Sequence, residues 1–205
     1  MEQTADQQEL YLSTRWQQFT AGDKNAFGEI AECHYAALHH YGTRFTQDRE
    51  LIKDCIQDLF LQIWERRDSL SVIDSIKPYL FQSLRNNLLR RIKKQAVFSD
   101  ISKNENDLLD DLSPESDWIL HETDQLTTDR LAHAINLLPK RQREALYLKF
   151  YQNLSYDEIA EVMGLNRQAV ANYLQYGLQK LREYWQHTII FLTLLPGFLS
   201  NVKIH

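Results

Sequence analysis

Residues 154–181, LSYDEIAEVMGLNRQAVANYLQYGLQKL, decide the fold of the C-terminal part of this 205-residue chain. Ser155 followed three positions later by Glu158 has the pattern of a capping box, which predicts the start of a short helix. Gly164 then predicts a tight turn, and Asn166 is a suitable N-cap for a second helix. The stretch therefore predicts two helices joined by a sharp corner.

The spacing of three small or branched residues indicates how these two helices meet. Ala160, Gly164 and Val170 supply a small residue, a corner glycine and a β-branched residue, as two closely crossing helices require. This is the pattern of a DNA-binding helix-turn-helix, whose second helix enters the major groove. An ordinary helical hairpin with a glycine corner has similar features and is the alternative. In the DNA-binding interpretation, five side chains of the second helix point toward the bases: Arg167, Gln168, Ala171, Asn172 and Gln175.

The composition favours an all-α protein with two small domains. The chain has only six Gly and four Pro, and its apolar residues recur at helical spacing rather than in alternation. The net charge of −5 alone counts against nucleic-acid binding. The charges are segregated, however, because residues 85–94 hold five bases and no acid, whereas residues 100–129 hold ten acids and one base. We therefore expect basic surfaces separated by an acidic linker.

Capping signals and apolar spacing predict further helices on both sides of the acidic stretch. Asp23 is a candidate N-cap for a helix that ends near Gly42. The next helix spans about 48–66, and a third begins near Pro78, a good first-turn residue, and ends near residue 96. Residues 1–20 suit a weakly amphipathic lead-in helix without an assigned function. In the second domain we expect helices at about 130–137, 140–151, 155–163 and 166–185.

Several other classes of protein are not favoured by the sequence. Cys33 and Cys55 lie in helical patterns with no signal peptide before them, so we expect no disulfide and a reducing cytoplasm. The apolar segment 188–199, at 12 residues, is shorter than the roughly 20 that span a bilayer. Cys33, His34, His39 and His40 lack paired metal-ligand spacing. Since no nucleophile elbow, phosphate loop or dinucleotide motif occurs, we expect no catalysis, cofactor or metal.

Two blocks of sequence resemble regions 4 and 2 of the extracytoplasmic-function sigma factors, which belong to the sigma-70 family. The region 4 block comprises 138–146 (LPKRQREAL), 156–160 (YDEIA) and 180–182 (KLR). The region 2 block comprises 54–64 (DCIQDLFLQIW) and 79–86 (YLFQSLRN). The resemblance extends over about 23–185, with the blocks in the family's order and a linker between them.

The resemblance implies a subunit that binds core RNA polymerase, directs it to promoters and helps to melt them, and that is not itself an enzyme. It implies the following division: a lead-in at 1–22, a region 2-like domain at 23–98, an acidic linker at 99–129, a region 4-like domain at 130–185 and an apolar tail at 186–205. In the family an anti-sigma factor often holds such a protein inactive, so this partner is also considered. No small-molecule substrate is implied.

The resemblance also implies three sets of binding residues. Core polymerase would contact the helix that contains Asp54, Gln57, Asp58, Phe60, Gln62 and Trp64. The −10 element would contact the basic helix through Arg85, Asn86, Arg90, Arg91, Lys93 and Lys94, and the loop at 66–75 would receive an extruded base. The −35 element would contact Arg167, Gln168, Ala171, Asn172, Tyr173, Gln175, Tyr176 and Lys180. From the residues alone, the helix that contains Asp54 is also consistent with a plain amphipathic surface helix. The basic run is likewise consistent with a solvated helix end.

The sequence departs from the family pattern at two places that concern DNA. Arg90 stands where relatives often have an acid, which puts a family salt bridge in doubt. Ala171, Tyr173 and Tyr176 stand where relatives commonly have Lys or Arg, so we expect low affinity of the isolated second domain for DNA. Useful affinity would arise when polymerase presents both domains together.

Some interpretations stay open at the level of sequence. The acidic linker is either a flexible tether or a segment that lies in the positive channel of polymerase, which the family favours. The apolar tail is expected to pack on the second domain rather than on a partner or a membrane, because a large exposed apolar patch would be a liability. The alternative function is a stand-alone helix-turn-helix regulator with an N-terminal helical sensor domain; a helical adaptor or anti-sigma-like protein is a third class.

Overall fold

The computed structural model describes residues 2–70, 75–98 and 132–194. Every regular element within these ranges is helical, which confirms the predicted all-α class. The expected acidic linker at 99–129 lies outside the described residues, and so does the end of the apolar tail beyond residue 194. Among the described helices, none combines the length and the apolar character needed to cross a membrane.

Seven α-helices and one 3-10 turn carry the described architecture. The N-terminal half contains α1 (Glu2–Thr20), α2 (Lys24–Gly42), α3 (Arg49–Arg66), a 3-10 turn (Arg67–Ser69) and α4 (Ile76–Phe98). After a short helical segment at 132–136, the C-terminal half contains α5 (Lys140–Phe150), α6 (Tyr156–Met163) and α7 (Arg167–Leu194).

The starts of α2 and α3 follow from two aspartates. The Asp23 carboxylate accepts hydrogen bonds from the backbone N–H groups of Asn25 and Ala26 at 2.8 and 3.3 Å. The Asp48 carboxylate accepts one from the N–H of Leu51 at 3.0 Å. Each bond satisfies a donor that has no partner within the helix, so the predicted starts of both helices are confirmed.

The first helix is part of the core of the N-terminal half. Trp16 and Phe19 of α1 are buried, and the Phe19 ring stacks on Phe27 of α2 with centroids 5.0 Å apart. Trp64 of α3 lies 6.0 Å from the Phe19 ring, and Tyr79 of α4 lies 6.3 Å from the Trp16 ring. Such aromatic pairs combine large apolar burial with a preferred geometry. The lead-in helix is therefore packed on α2, α3 and α4.

The C-terminal half is a helix-turn-helix supported by α5. The capping box of α6 is present, with the Ser155 side chain accepting from the Glu158 N–H and the Glu158 carboxylate accepting from the Ser155 N–H. Gly164 ends α6 in the left-handed region at φ 64°, where a side chain would be strained. The Asn166 side-chain oxygen Oδ1 accepts from the Ala169 backbone N–H at 2.7 Å. These three local predictions are confirmed.

The two halves pack together in this structure. Helix α4 of the N-terminal half lies against α6 of the C-terminal half. Lys77 of α4 donates to the backbone carbonyl of Gln152 at 2.7 Å, and the Gln82 amide donates to the carbonyl of Glu161 at 2.8 Å. These contacts bring the basic helix and the helix-turn-helix into one folded body.

Candidate nucleic-acid interface

The second helix of the helix-turn-helix presents a polar exposed face, here called the α7 face. Val170, Leu174 and Gly177 are buried on the opposite side, and Gly177 lets α7 approach Leu146 of α5, since a Cβ there would lie only 3.0 Å from Leu146 Cδ1. The burial of that side fixes which side chains point outward. The exposed residues of the α7 face are Arg167, Gln168, Asn172, Gln175, Tyr176 and Lys180.

Two of the residues predicted to contact the −35 element are less accessible. Ala171 and Tyr173 are half-buried, and Tyr173 packs against the apolar core. The exposed amides of Gln168 and Asn172 are hydrogen-bonded to each other at 3.1 Å. Asparagine and glutamine amides are the side chains that pair with adenine in the major groove. The α7 face therefore has the chemistry to read base edges, with few cations for phosphates.

The cations of the α7 face are already associated with acids of the chain. Arg167 is paired with Asp157 of α6, and both side chains are largely exposed. Lys180 lies 3.3 Å from the carboxylate of Glu183 one turn later. Exposed pairs of this kind contribute little to stability and exchange readily with other partners. A phosphate can therefore compete for these two side chains.

The basic helix α4 presents a second polar surface, here called the α4 stripe, which consists of Asn86, Arg90, Lys93 and Lys94. All four are exposed, and their spacing places them on one side of the helix. Arg90 also donates to the side-chain oxygen of Asn87 at 2.7 Å. The stripe therefore carries exposed positive charge along one side of the helix, which suits the negative charge of a nucleic-acid backbone.

Arg85 does not lie on the α4 stripe, although it belongs to the same predicted set. Its residue is only 7% exposed, and its Nε lies 2.8 Å from the Glu144 carboxylate of α5. In this conformation Arg85 faces the C-terminal half. A contact between Arg85 and DNA requires the two halves to separate.

The burial of Arg85 has a signal in the sequence. Phe81, Arg85, Leu88 and Ile92 recur at positions i, i+4, i+7 and i+11, which is the buried side of a helix. The other three members of this series are buried as expected. A basic residue inside such a series indicates an acidic partner across the packing surface, here Glu144.

The polar residues of α3 form a third exposed surface, here called the α3 face. Asp54, Gln57 and Gln62 are exposed, and Asp58 is half-buried beside Arg91. Phe60 and Trp64, which were predicted with them, point toward α2 instead. Their rings lie 6.0 and 5.3 Å from that of Phe27. The two aromatic residues therefore pack α3 against α2 and do not belong to the exposed α3 face.

Leu61 belongs to the α3 face and is absent from the predicted set. Its side chain is 59% exposed between the polar residues. Its position seven residues after Asp54 and four after Gln57 places it on their side of the helix. That spacing is the signal that identifies it. An exposed leucine within a polar rim has the character of an anchor in a protein interface.

Ionisable side chains gather where the two halves meet. The Tyr41 hydroxyl donates to Glu144 at 2.6 Å, and burial first, then the negative charge of Glu144, raises the pKa of Tyr41 well above its usual value. The Arg44 guanidinium lies 3.9 Å from the centroid of the Tyr147 ring. Burial lowers the pKa of Arg44 to about 10. Both groups keep their usual protonation state at neutral pH.

Among the described residues, the cysteines and histidines considered as metal ligands do not converge on a site. Cys33 is exposed and Cys55 is buried. The His34 ring is hydrogen-bonded to the backbone carbonyl of Ile30 at 2.8 Å. Within the described ranges, no group of three or more His, Cys, Asp or Glu side chains is placed to hold a metal ion. Of the expected base-receiving loop at 66–75, residues 71–74 lie outside those ranges.

Comparison with known families assigns both halves of the chain. The family model described as Sigma-70 region 2 matches residues 30–97, which include the α3 face and the α4 stripe. The model described as Sigma-70, region 4 matches residues 128–181, which include the helix-turn-helix. Together the two matches span more than half of the chain.

Individual relatives agree with this assignment. RNA polymerase sigma factor NccH of Alcaligenes xylosoxydans xylosoxydans is 26% identical over 154 residues, which cover 73% of this chain and 81% of that protein. ECF RNA polymerase sigma factor SigM of Bacillus subtilis (strain 168) is 25% identical over 167 residues, covering 78% and 96%.

A solved structure shares the fold. Sigma factor RpoE of Bartonella quintana, in complex with the anti-sigma factor NepR, superposes with a TM-score of 0.57 at 22% identity, covering 78% of this chain and 96% of that one. The order of the two matched regions, their helical structure and the likeness to these relatives over about three quarters of the chain agree. The chain therefore belongs to the sigma-70 family, within its extracytoplasmic-function group, whose members direct RNA polymerase to promoters at transcription initiation.

Proposed function

We propose that the chain works as an interchangeable subunit of RNA polymerase, with the α3 face bound to core enzyme, the α4 stripe at the −10 element and the α7 face at the −35 element. The observation that carries the proposal is the presence of three separate exposed polar surfaces on helices that the two family matches include. Each surface has a chemistry suited to its assigned partner.

The α4 stripe suits a strand that has lost its base-pairing partner. Arg90, Lys93 and Lys94 offer positive charge without an acid on the same stripe, and Asn86 offers an amide for a base edge. A positive track for the backbone combined with polar groups for unpaired bases is how proteins hold single strands. Arg85 and Arg91 would join this surface once their acidic partners release them.

The α7 face suits double-stranded DNA in the major groove. Gln168 and Asn172 can donate to and accept from base edges, while Arg167 and Lys180 can contact phosphates. The small number of cations supports weak binding by this domain alone. When polymerase holds both domains, the second contact becomes intramolecular and gains from a high effective concentration.

The chain would contribute recognition and melting and no catalysis of its own, and it would work in the cytoplasm beside polymerase. An anti-sigma factor is a further partner that we propose, because a protein of the same fold is bound to one. The alternative of a stand-alone regulator with a sensor domain is not favoured, since the region 2 match takes up the half of the chain that would contain the sensor.

Runoff transcription with purified core polymerase tests the proposal. The template is a library of genomic fragments from the organism that encodes the chain. We expect transcripts with defined start sites only when the chain is added, and their loss with Asp54→Arg on the α3 face. Glu32→Arg is a matched control, because Glu32 is an exposed acid on α2, outside the three proposed surfaces. No start site that depends on the chain would refute the proposal.

A further inference from the structure

We propose that the unbound chain rests in a closed state, in which a latch formed by Glu144, Arg85 and Tyr41 holds the two halves together and withholds Arg85 from DNA. This inference deepens the proposed function, since it rests on Arg85 being a DNA-binding residue in the open state. It concerns the chain by itself, before any polymerase is bound.

The latch is centred on one carboxylate oxygen. Glu144 Oε1 accepts from Arg85 Nε at 2.8 Å and from the Tyr41 hydroxyl at 2.6 Å. Glu144 is 6% exposed, Arg85 is 7% exposed and Tyr41 is fully buried. The acid comes from α5 of the C-terminal half, whereas both donors come from the N-terminal half. A buried charge pair thus lies across the boundary between the halves.

Several other contacts across the same boundary are also polar or aromatic, beside a core cluster that includes buried apolar residues of both halves. The Tyr41 and Tyr147 rings are stacked with centroids 5.9 Å apart, and the Tyr147 hydroxyl lies 3.3 Å from the His40 ring nitrogen. Lys77 and Gln82 of α4 each donate to a backbone carbonyl of the C-terminal half. Interfaces of this polar kind occur between domains that move relative to one another.

A charge pair makes such a boundary reversible. When both partners become hydrated together, the lost attraction is offset by the regained hydration of two ions, so the pair costs little to open. When only one partner is removed, the other is left buried without compensation, and the closed state is strongly disfavoured. The Glu144 latch can therefore hold the free chain closed and still release it.

Closure changes what the chain offers to DNA. Arg85 is covered, and α6 lies along α4, whereas the α7 face and the α4 stripe remain exposed. In a closed chain only part of the surface proposed for the −10 element is accessible. The two halves also cannot reach separate promoter elements at the same time. Its apparent affinity is then reduced by the fraction of chains that are open.

Single-molecule energy transfer within the free chain tests the closed state. One dye is placed on Cys33 in the N-terminal half, and the other on the thiol introduced by Gln179→Cys in the C-terminal half; both positions are exposed. Four chains are compared on this background: the unchanged chain, Glu144→Gln, Tyr41→Phe and the control Glu50→Gln. Circular dichroism establishes that each chain is folded.

We expect one dominant high-transfer population in the unchanged chain and in Glu50→Gln. Glu144→Gln keeps the side-chain volume but removes the negative charge beside the buried Arg85, so the ratio of open to closed chains should rise at least about tenfold. Tyr41→Phe removes only one hydrogen bond and should raise the ratio roughly twofold to tenfold. If Glu144→Gln does not fold, Tyr41→Phe decides the test.

Exposure of Arg85 is tested with a labelled random-sequence single strand of about 20 nucleotides, a length that nonspecific single-strand sites accommodate. Glu144→Gln should bind this strand several times more tightly than Glu50→Gln, which carries the same net charge. Equal binding by these two variants, or equal energy transfer in all folded variants, would overturn the latch. Neither measurement includes polymerase, so a failed runoff assay would refute the proposed function and leave the closed state standing.

Discussion

Arg91 of α4 forms an ion pair with Asp58 of α3. Arg91 is expected to contact promoter DNA, whereas Asp58 is expected to contact core polymerase. The same guanidinium lies 4.0 Å from the Asp54 carboxylate. Both members of the Arg91–Asp58 pair are more than a third exposed, and water screens their attraction. The pair therefore links the two surfaces without being needed to hold the fold.

Replacing the acid separates a binding role from a structural one. We expect Asp58→Asn to change the free energy of unfolding by less than about 1 kcal/mol, as is usual for exposed pairs. Its affinity for core polymerase should fall by about 1–2 kcal/mol, the scale of an interface contact that matters. Urea unfolding and fluorescence anisotropy with labelled chain measure the two quantities. The opposite pattern, with lost stability and unchanged affinity, would assign Asp58 to the fold.

Leu61 is expected to be an apolar anchor of the α3 face. Leu61→Ala should weaken binding to core polymerase by about 1–2 kcal/mol, because it removes apolar area that the partner would cover. It should leave stability nearly unchanged, since the side chain is already in water. Leu10→Ala is the control, because Leu10 is 71% exposed and belongs to α1 rather than to the α3 face. Equal affinities of the two variants would contradict the assignment.

Close helix packing makes Gly42 sensitive to a single methyl group. A Cβ at this position would lie 2.6 Å from Ile52 Cγ2, whereas a Cβ at Gly28 of the same helix meets nothing within 4 Å. We expect Gly42→Ala to destabilise the chain by about 1–3 kcal/mol through overpacking. Gly28→Ala should stabilise it by up to about 1 kcal/mol through helix propensity. Thermal and urea unfolding distinguish these opposite signs.

Two variants of the α7 face should affect DNA binding differently. Asn172→Ala is expected to cost polymerase holoenzyme about 1–3 kcal/mol at cognate promoters and to relax preference at one base position. Lys180→Ala should weaken binding to all sequences and reduce the salt slope by about one. Promoter binding at several salt concentrations measures both effects. Identical salt slopes and base preferences in the two variants would argue against these roles.

The buried ring of His34 predicts a dependence of stability on pH. Burial lowers its pKa below the ordinary value of 6.5, against the hydrogen bond to Ile30, and the charge of Lys77 lowers it further. The unfolded chain therefore binds the proton more readily. The stability from neutral His34 is complete above about pH 6.5 and is lost as the pH falls toward the lowered pKa.

Urea unfolding at several pH values measures this loss. The free energy of unfolding should fall between about pH 7 and pH 5 more steeply in the unchanged chain than in His34→Leu, which has no ionisable group at this position. Other histidines contribute equally to both chains. Parallel slopes would show that His34 does not titrate differently in the folded and unfolded states.

Local signals predicted the helix-turn-helix well because its determinants lie within a few residues of one another. The capping box, the left-handed glycine and the exposed side of α7 each depend on short-range spacing. The same holds for the starts of α2 and α3. In these segments the sequence already contains the partners of the backbone groups that begin or end each helix.

The position of Arg85 and the packing of α1 depend on contacts between distant parts of the chain. The basic run from Arg85 to Lys94 looks uniform as a string of charges, and its division between a buried and an exposed side follows only from helical rotation. Glu144, which completes the buried pair, is 59 residues away. Likewise, Trp16 and Phe19 have few apolar neighbours in sequence and obtain them from α2, α3 and α4.

The packing of α1 sets where the protein can be divided for experiments. The region 2 match begins at residue 30, but a fragment cut there would remove Trp16 and Phe19 and strip the cover from Trp64. Exposed aromatic surface of that kind promotes aggregation. A soluble N-terminal fragment would thus need to retain α1. A homologue search bounded by the family match would overlook these residues, which belong to the core of the N-terminal half.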